Sequence, residues 1–426
     1  MVKGSTMNNR GPSGSRLDRR ALLMGGLAAG VGTTALAAGG LFATSDEPVG
    51  VTLAAGETDP AALLGWVNVK AAPYNAKGDN AADDTAAIAA AYTAAQQQNR
   101  PLYFPPGMFR VRTLPQFANY ATVFGAGADL TTIVHTSSGT LLTLKDRQRV
   151  ALKNMGIFSQ DPSSLAVLLD HCFRCSFDSV VFRGNHTPQS YPRFLGQKGV
   201  SLINNTGGTS FVNCDFNNYG TAMSTTAIQS YIANCKFTTN WIGLLGTGNN
   251  FASGMSIVNT EFVSDINANT TTSHIIVDGR ANDWWLTNVW FEGAASALVI
   301  GKAGTGGPSQ FGMVNCKVAA RGICLDLQHC RQPYLSNVAF DADQQSTPQL
   351  IRINGQYVPE GTAINLITSQ GADFPGNTFP GGWTVLGRGR LTSAGGGPIV
   401  KSPDGKSWRL SISNTGVISG QNLGVL

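Results

Sequence analysis

The chain has 426 residues, of which 13% are charged, about half the ~25% usual in globular domains, while its hydrophobic content of 42% is ordinary. This excludes a disordered chain. The formal charge of +5 does not indicate a nucleic-acid partner: five of the 30 basic residues and one of the 25 acidic ones lie in residues 1–37, leaving a net of +1 on the rest.

Ser15-Arg16-Leu17-Asp18-Arg19-Arg20 precedes a weakly apolar Ala/Gly-rich run from Ala21 to Ala38, the pattern of a twin-arginine (Tat) signal, with Ala35-Leu36-Ala37 as a cleavage site and Ala43 as a later one. Residues 1–43 are expected to be that signal peptide and 44–64 a linker. The protein is then secreted and extracellular, with no membrane contact after cleavage.

Trp66-Val67-Asn68-Val69 alternates like a strand, and the polar stretch Ala76–Thr85 reads as a turn. A helix follows, capped by Asp83 or Asp84, with Ile88, Ala91, Tyr92 and Ala95 on one face. Pro101 stops it, and Leu102–Val111 reads as two short strands around a tight turn. Ala76-Lys77-Gly78-Asp79, Asp83-Asp84-Thr85 and Phe104-Pro105-Pro106-Gly107-Met108-Phe109 together resemble the opening of the pectate-lyase-3-like family, shared with rhamnogalacturonase-like and phage tailspike proteins. Tyr74-Asn75 and Asn80 depart from the family's Phe-Gly and second Gly. The resemblance implies an all-β fold, a right-handed parallel β-helix, and a substrate or ligand that is a polysaccharide. Asp79, Asp83 and Asp84 are assigned to turn formation and capping rather than to catalysis.

From residue 150 a phrase recurs: strand, Asn, small residue or Cys, one variable residue, Phe. Its Asn column runs Asn154, Ser179, Asn213, Asn234, Asn259, Asn288, Asn315 and Asn337, at spacings of 25, 34, 21, 25, 29, 27 and 22. A period in the twenties without intervening helices marks a β-solenoid rather than a β-propeller, whose blades are longer. Eight coils at ~4.8 Å give a rod of about 38 Å. The Cys/Val/Thr and Phe positions share an inward parity, which stacks Cys214 on Cys235 and Phe216 on Phe237 and Phe262. Asp170, Asn204, Asp278 and Asp326 form a second column that closes turns. The β-helix is expected over 65–380, with an N-terminal α-helical cap, and a C-terminal β-hairpin module over 381–426 that covers the last coil or mediates oligomer contact.

The seven cysteines are an odd set, read mainly as buried thiols; Cys172-x-x-Cys175 has no second pair at zinc-finger spacing. Chemistry must therefore come from outward positions. The residue before each Phe runs Ile157, Val181, Asp215, Lys236, Glu261, Trp290, Lys317 and Ala339, and Arg183, Asn217 and Glu292 follow the Phe with the same parity. Carboxylates can protonate a glycosidic oxygen or activate water, and aromatic faces hold sugar rings, so Glu261, Glu292 and Asp215 are the catalytic candidates of a glycoside hydrolase. Trp290, Tyr219, Trp241, Lys236 and Arg183 are the substrate-binding candidates. Glu261 and Glu292, one coil and two residues apart, have backbones about 8 Å apart, within the ~6.5–9.5 Å range for inversion. A solvated charge ladder explains the same residues without catalysis. A lyase would use Arg183, Lys236, Asp278 and Arg280, with Ca²⁺ as cofactor; for a hydrolase no cofactor or metal is expected. A non-catalytic, tailspike-like glycan binder is the remaining reading, and the protein is expected to be a monomer or a homotrimer.

If Arg19-Arg20 is the export signal, the double substitution Arg19→Lys, Arg20→Lys leaves the precursor inside the cell; undiminished secretion, measured by fractionation, excludes the twin-arginine route.

Overall fold

A computed structural model describes residues 59–247, 254–343, 348–369, 374, 378–387, 390–393 and 399–424. The expected signal peptide and most of the linker lie outside them. The linker's end is ordered: Asp59 caps a short helix, α1 (Pro60–Leu63), by accepting from the Ala61 N–H.

Each coil is a run of short alternating segments that pair in parallel with the same segments of the coils before and after. One full turn illustrates it. Thr221–Thr225 lies in a first sheet, Gln229–Ala233 in a second, and Lys236–Thr238 in a third, before Ile242–Thr247 returns to the first. Parallel neighbours need crossovers, and here the other two sheets supply them in place of helices. The result is an all-β, right-handed parallel β-helix of about twelve coils. The recurring phrase shows only eight, because the coils built on Asp79–Asp83, Thr131–His135 and Ile367–Thr368 lack the Phe, and the one built on Gly107–Val111, which buries Phe109 at that position, enters it through Pro105-Pro106 without the Asn.

Between the second and third sheets the chain turns on one residue with left-handed backbone geometry. The Asn column occupies that position throughout, including Asn154, Asn213, Asn234, Asn259 and Asn288 at φ 49–55°, with Ser179 as its member at φ 55°. Asn tolerates this conformation, which costs most residues ~1–2 kcal/mol. The amides then bond from coil to coil, Asn259 Nδ2 to Asn234 Oδ1 at 3.3 Å and Asn288 Nδ2 to Asn259 Oδ1 at 2.8 Å.

The expected inward register holds. Phe182, Phe216, Phe237, Phe262 and Phe291 are buried and stack face to face at 4.8, 4.6, 4.5 and 5.1 Å. The Cys214 N–H points at the Cys235 sulfur, 3.4 Å away, and all seven cysteines are free and buried. The first coil departs from the expectation. Ile157 pairs with Phe182 and is buried, Gly156 pairs with Val181, and Phe158 faces outward, because the count runs from the bend at Asn154 and not back from the aromatic.

The capping helix, α2 (Thr85–Gln97), buries Ile88, Ala91, Tyr92 and Ala95 as the spacing predicts. Its cap is divided between the two aspartates. Asp83 accepts from the Thr85 N–H and hydroxyl, while the Asp84 carboxylate turns back to the Lys77 and Gly78 N–H groups and closes the polar turn. Leu102–Phe104 and Gly107–Val111 do not pair with each other as a hairpin; each joins its own sheet in parallel. At the other end, Gly382–Gly387 still pairs in parallel with Glu360–Ile364 and buries Trp383, so the helical stack runs past residue 380 before the chain reverses in antiparallel strands. Among the described residues no helix is long and apolar enough to cross a membrane.

Replacing Asn259 separates backbone strain from ladder bonding. Asn259→Val should cost about 2 kcal/mol or more, through the left-handed bend and the lost amide bonds, and Asn259→Gly about 1 kcal/mol, because glycine keeps the bend unstrained. Urea-induced unfolding that ranks the two variants the other way removes the bend from its structural role.

Candidate functional site

The third sheet brings the expected residues into one outward column. Asp215 pairs with Val181 and Lys236, Lys236 with Glu261, Glu261 with Trp290, and Trp290 with Lys317. Arg183 pairs with Asn217, and Val263 with Glu292, so Glu292 stands one coil and two residues from Glu261 as the repeat predicts. A groove of about 470 Å³ lies where this column meets the asparagine bends, lined by Glu261, Trp290 and Lys317 on one side. Asn288 and Asn315 line its other wall. Among the described residues no bond joins these two, and Asn288 Oδ1 and Asn315 Nδ2 have no partner, so both can meet a hydroxyl-bearing ligand.

The charges of the column are unequally matched. Lys236 Nζ is 3.9 Å from Glu261 Oε2. Lys317 reaches three groups: Glu292 Oε1 at 3.2 Å, Asp341 Oδ2 at 3.9 Å, and the Trp290 ring, whose centroid is 4.2 Å away. Its ammonium therefore occupies one face of the indole that was expected to hold a sugar, although Trp290 as a residue remains 43% exposed. Asp215, half-buried, has neither an ion pair nor a side-chain hydrogen bond among the described residues. Burial pushes its carboxyl above the ordinary aspartate value; Lys236 and Arg183 oppose the shift, and the carboxylates of Asp129 and Glu261 add to it.

Two of the expected binding residues are elsewhere. Tyr219 is fully buried, its hydroxyl 3.3 Å from Ser159 Oγ, and burial raises the hydroxyl's proton affinity. The cause is local: Asn218 takes a second left-handed bend at φ 63°, which swings Tyr219 inward against Gly184 and Gly199. Trp241 stands in the turn toward the first sheet, half-buried, with Tyr191 at 5.0 Å and His186 at 6.1 Å as its ring partners. The lyase candidates separate as well. Arg183 and Lys236 belong to the third sheet, while Asp278, 3.5 Å from Lys302, ends a strand of the first and Arg280 lies in the turn that leaves it. Among the described residues no group of three or more His, Cys, Asp or Glu is placed to hold a metal ion.

Sequence reasoning missed Asp129 and Asp341, and did not single out Lys317. Lys317 was already in the column, and its position between Trp290 and Ala339 was signal enough. Asp129 lies in the turn after Gly125, outside the recurring phrase, where no periodicity points to it.

Comparison with known proteins agrees with this architecture. Residues 66–245 match the family model described as rhamnogalacturonase A/epimerase, pectate lyase-like. Among solved structures, the ORF18 protein of Geobacillus virus E2 superposes with a TM-score of 0.56 at 16% identity, over 85% of this chain and 74% of that one. The tailspike protein of Acinetobacter phage vB_ApiP_P1 gives 0.47 at 11% identity, over 85% and 79%. The A-module of the mannuronan C-5 epimerase AlgE4 of Azotobacter vinelandii gives 0.46 at 14%, over 76% and 100%. At 16% identity the likeness to the ORF18 protein is one of fold alone. No curated protein matches the chain.

The face is backed by a buried, neutral histidine. His274 donates from Nε2 to the Glu292 carbonyl at 2.7 Å, and burial pushes its pKa down to about 4; burial does the same to His135, also to about 4. Both values lie below the ~6.5 of an unfolded histidine, so the unfolded chain binds more protons between those limits. Stability should be complete above pH ~6.5 and fall as the pH drops toward 4, with proton uptake on unfolding from His274, His135 and His186, which burial also lowers, and with about one proton less taken up in His274→Gln. A melting temperature that does not change across this window contradicts the buried neutral assignment.

Proposed function

We propose that this pectate-lyase-like β-helix binds polysaccharide along the outward face of its third sheet and hydrolyses it with Asp215 as acid and Glu261 as base. The observation that carries the reading is the contrast between two carboxylates of one column. Among the described residues Asp215 lacks an ion pair, and burial raises its proton affinity, whereas Glu261 has the Lys236 ammonium 3.9 Å away. A raised proton affinity suits Asp215 to the acid role, since a general acid must still hold its proton when the substrate is bound, and Glu261 is left as the base. The two residues are two coils apart at the same position, which separates their backbones by about 9.6 Å. Side chains leaning toward each other bring that near the ~6.5–9.5 Å of inverting enzymes, where a water fits between the base and the anomeric carbon. Asp215 then passes its proton to the leaving glycosidic oxygen, and Glu261 takes one from the attacking water.

Glu292 enters as a positioning residue: it holds Lys317, which in turn sits over Trp290. The open amides of Asn288 and Asn315 and the exposed part of Trp290 bind the glycan; Arg183 and Lys236 add polar contacts nearer Asp215. Asp215, Lys236 and Arg183 fall inside the region that matches the family model, and Glu261, Trp290 and Glu292 lie beyond it. The reading includes export through residues 1–43 and action outside the cell.

A non-catalytic glycan-binding role is favoured by one observation, the lysine partner that each of Glu261 and Glu292 already has. The test is a panel of plant, algal and bacterial polysaccharides, followed by reducing-end release and by ultraviolet absorbance of unsaturated products. Asp215→Asn and Glu261→Gln should each keep the fold and lose at least ~10² in rate, and Asp215→Asn should also remove the loss of rate at rising pH. Glu292→Gln should cost less, about tenfold, through Lys317. Binding without any product selects the adhesion role, unsaturated products select a lyase, and wild-type rates in both Asp215→Asn and Glu261→Gln move the active site to another face.

A further inference from the structure

A second cavity, of about 540 Å³, lies at a different corner of the coil, where the chain passes from the first sheet to the second. That size is ordinary for a small-ligand site. Four consecutive coils build its walls. Arg280 and Asn282 come from the turn after Ser273–Asp278, Pro308 from the next, His329 and Arg331 from the third, and Tyr357 and Glu360 from the fourth. The turns are tied by backbone bonds: Ala281 N–H to the Gly307 carbonyl at 3.2 Å, Ser309 N–H to the Ala281 carbonyl at 2.9 Å, and Arg331 N–H to the Pro308 carbonyl at 3.2 Å. No side chain fits at Gly306, where a Cβ would stand 2.6 Å from Arg280 Cγ, nor at Gly307, where it would stand 1.7 Å from the His329 carbonyl oxygen. The walls are thus fixed by close backbone approach.

The cavity's charges are unmatched. Among the described residues neither the Arg280 nor the Arg331 guanidinium has an ion pair or a hydrogen bond, and both residues are exposed. None of the nearby acids pairs with these arginines: Asp278 is 3.5 Å from Lys302, Asp283 accepts from the Ser309 hydroxyl at 2.7 Å, and Glu360 accepts from Gln332 Nε2 at 3.1 Å through Oε1, with Oε2 open among the described residues. Tyr357 and His329 stack with centroids 5.1 Å apart and planes 17° from parallel, and the His329 Nδ1 has no partner among the described residues. Two free guanidinium forks beside an aromatic face, with an acceptor at Glu360, match a ligand that is planar and anionic at one end and a hydroxyl-bearing ring at the other.

We propose that this cavity is an acidic-saccharide site, in which Arg280 and Arg331 take the carboxylate or sulfate of a sugar, the Tyr357–His329 pair takes its ring, and Glu360 accepts from its hydroxyls. The sugar half rests on the reading of the protein as glycan-acting; the anion half does not. None of these residues belongs to the third-sheet face, so the site recruits and orients a charged chain without joining the cleavage step.

Calorimetric titration of the mature protein with trigalacturonate, with a sulfated galactose trisaccharide and with neutral galactotriose tests it. One or both acidic trisaccharides should bind at least about tenfold more tightly than the neutral one, the better binder identifying carboxylate or sulfate as the anion, and the preference should shrink as salt is raised. Arg280→Gln with Arg331→Gln should lower that affinity about 100-fold while leaving any cleavage rate on neutral polysaccharide unchanged, and Asp215→Asn should leave the affinity as in the wild type. Equal affinity for neutral and acidic sugars, undiminished binding in the double arginine variant, or binding of neither acidic trisaccharide overturns the site. Hydrolysis is read in a separate assay, so a protein that binds acidic sugar at the arginines but cleaves nothing loses the hydrolase reading and keeps this one.

Discussion

One constraint organises the molecule: a single residue per coil must turn the chain from the second sheet into the third without changing which side chains face the core. A left-handed residue does this in one step, so that the residues on either side of Asn234, Ala233 and Cys235, end one strand and begin the core-facing alternation of the next. A longer turn would reset the parity and expose the Phe column, since a shift of one residue reverses every side chain of a strand. Asparagine suits the position twice. It tolerates the backbone geometry, and its amide is both donor and acceptor, so stacked copies satisfy one another at the spacing of the strands.

The same stacking constrains the surface. Outward residues of one column stand a strand spacing apart, where like charges repel and opposite ones attract. Asp215, Lys236, Glu261, Trp290 and Lys317 obey this by alternation, and the one departure is informative. Lys236 lies between two carboxylates but is within ion-pair distance of Glu261 alone, while the other neighbour of Asp215 in the column is the uncharged Val181. A lysine that serves one carboxylate leaves the other with burial as its dominant influence. The column thus differentiates its acids by the order of its residues, with no change to the core beneath.

Much of this was legible in the sequence because it is periodic. The buried face of α2, the inward Cys and Phe positions and the offset of Glu261 from Glu292 all follow from counting along repeats. What failed was aperiodic or local. Ile157 was misplaced because Phe158 offered a false match to the aromatic position, and only the bend at Asn154 decides the register. Tyr219 was expected outside because nothing in its spelling announces that Asn218 makes a second bend or that Gly184 and Gly199 leave room for a ring. Asp129 reaches Asp215 from a turn outside the repeat, and Lys317's grip on three neighbours depends on side-chain reach that strand registers do not encode.

In a stack of coils each unit contacts only its neighbours, so similarity in one stretch constrains the backbone there and carries little about side chains several coils away. The family match ends at residue 245, inside the groove's own column, between Lys236 and Glu261. Fold and function therefore separate along the rod. The backbone of the later coils follows from the repeat, whereas their chemistry depends on which residues stand at a few outward positions. Both grooves are made in this way, one at the asparagine bend and one at the turn into the second sheet, and each draws its residues from several coils whose interiors are interchangeable. Changing a site on such a scaffold needs only outward substitutions that respect the charge order of a column, since neither the bend nor the Phe stack depends on them.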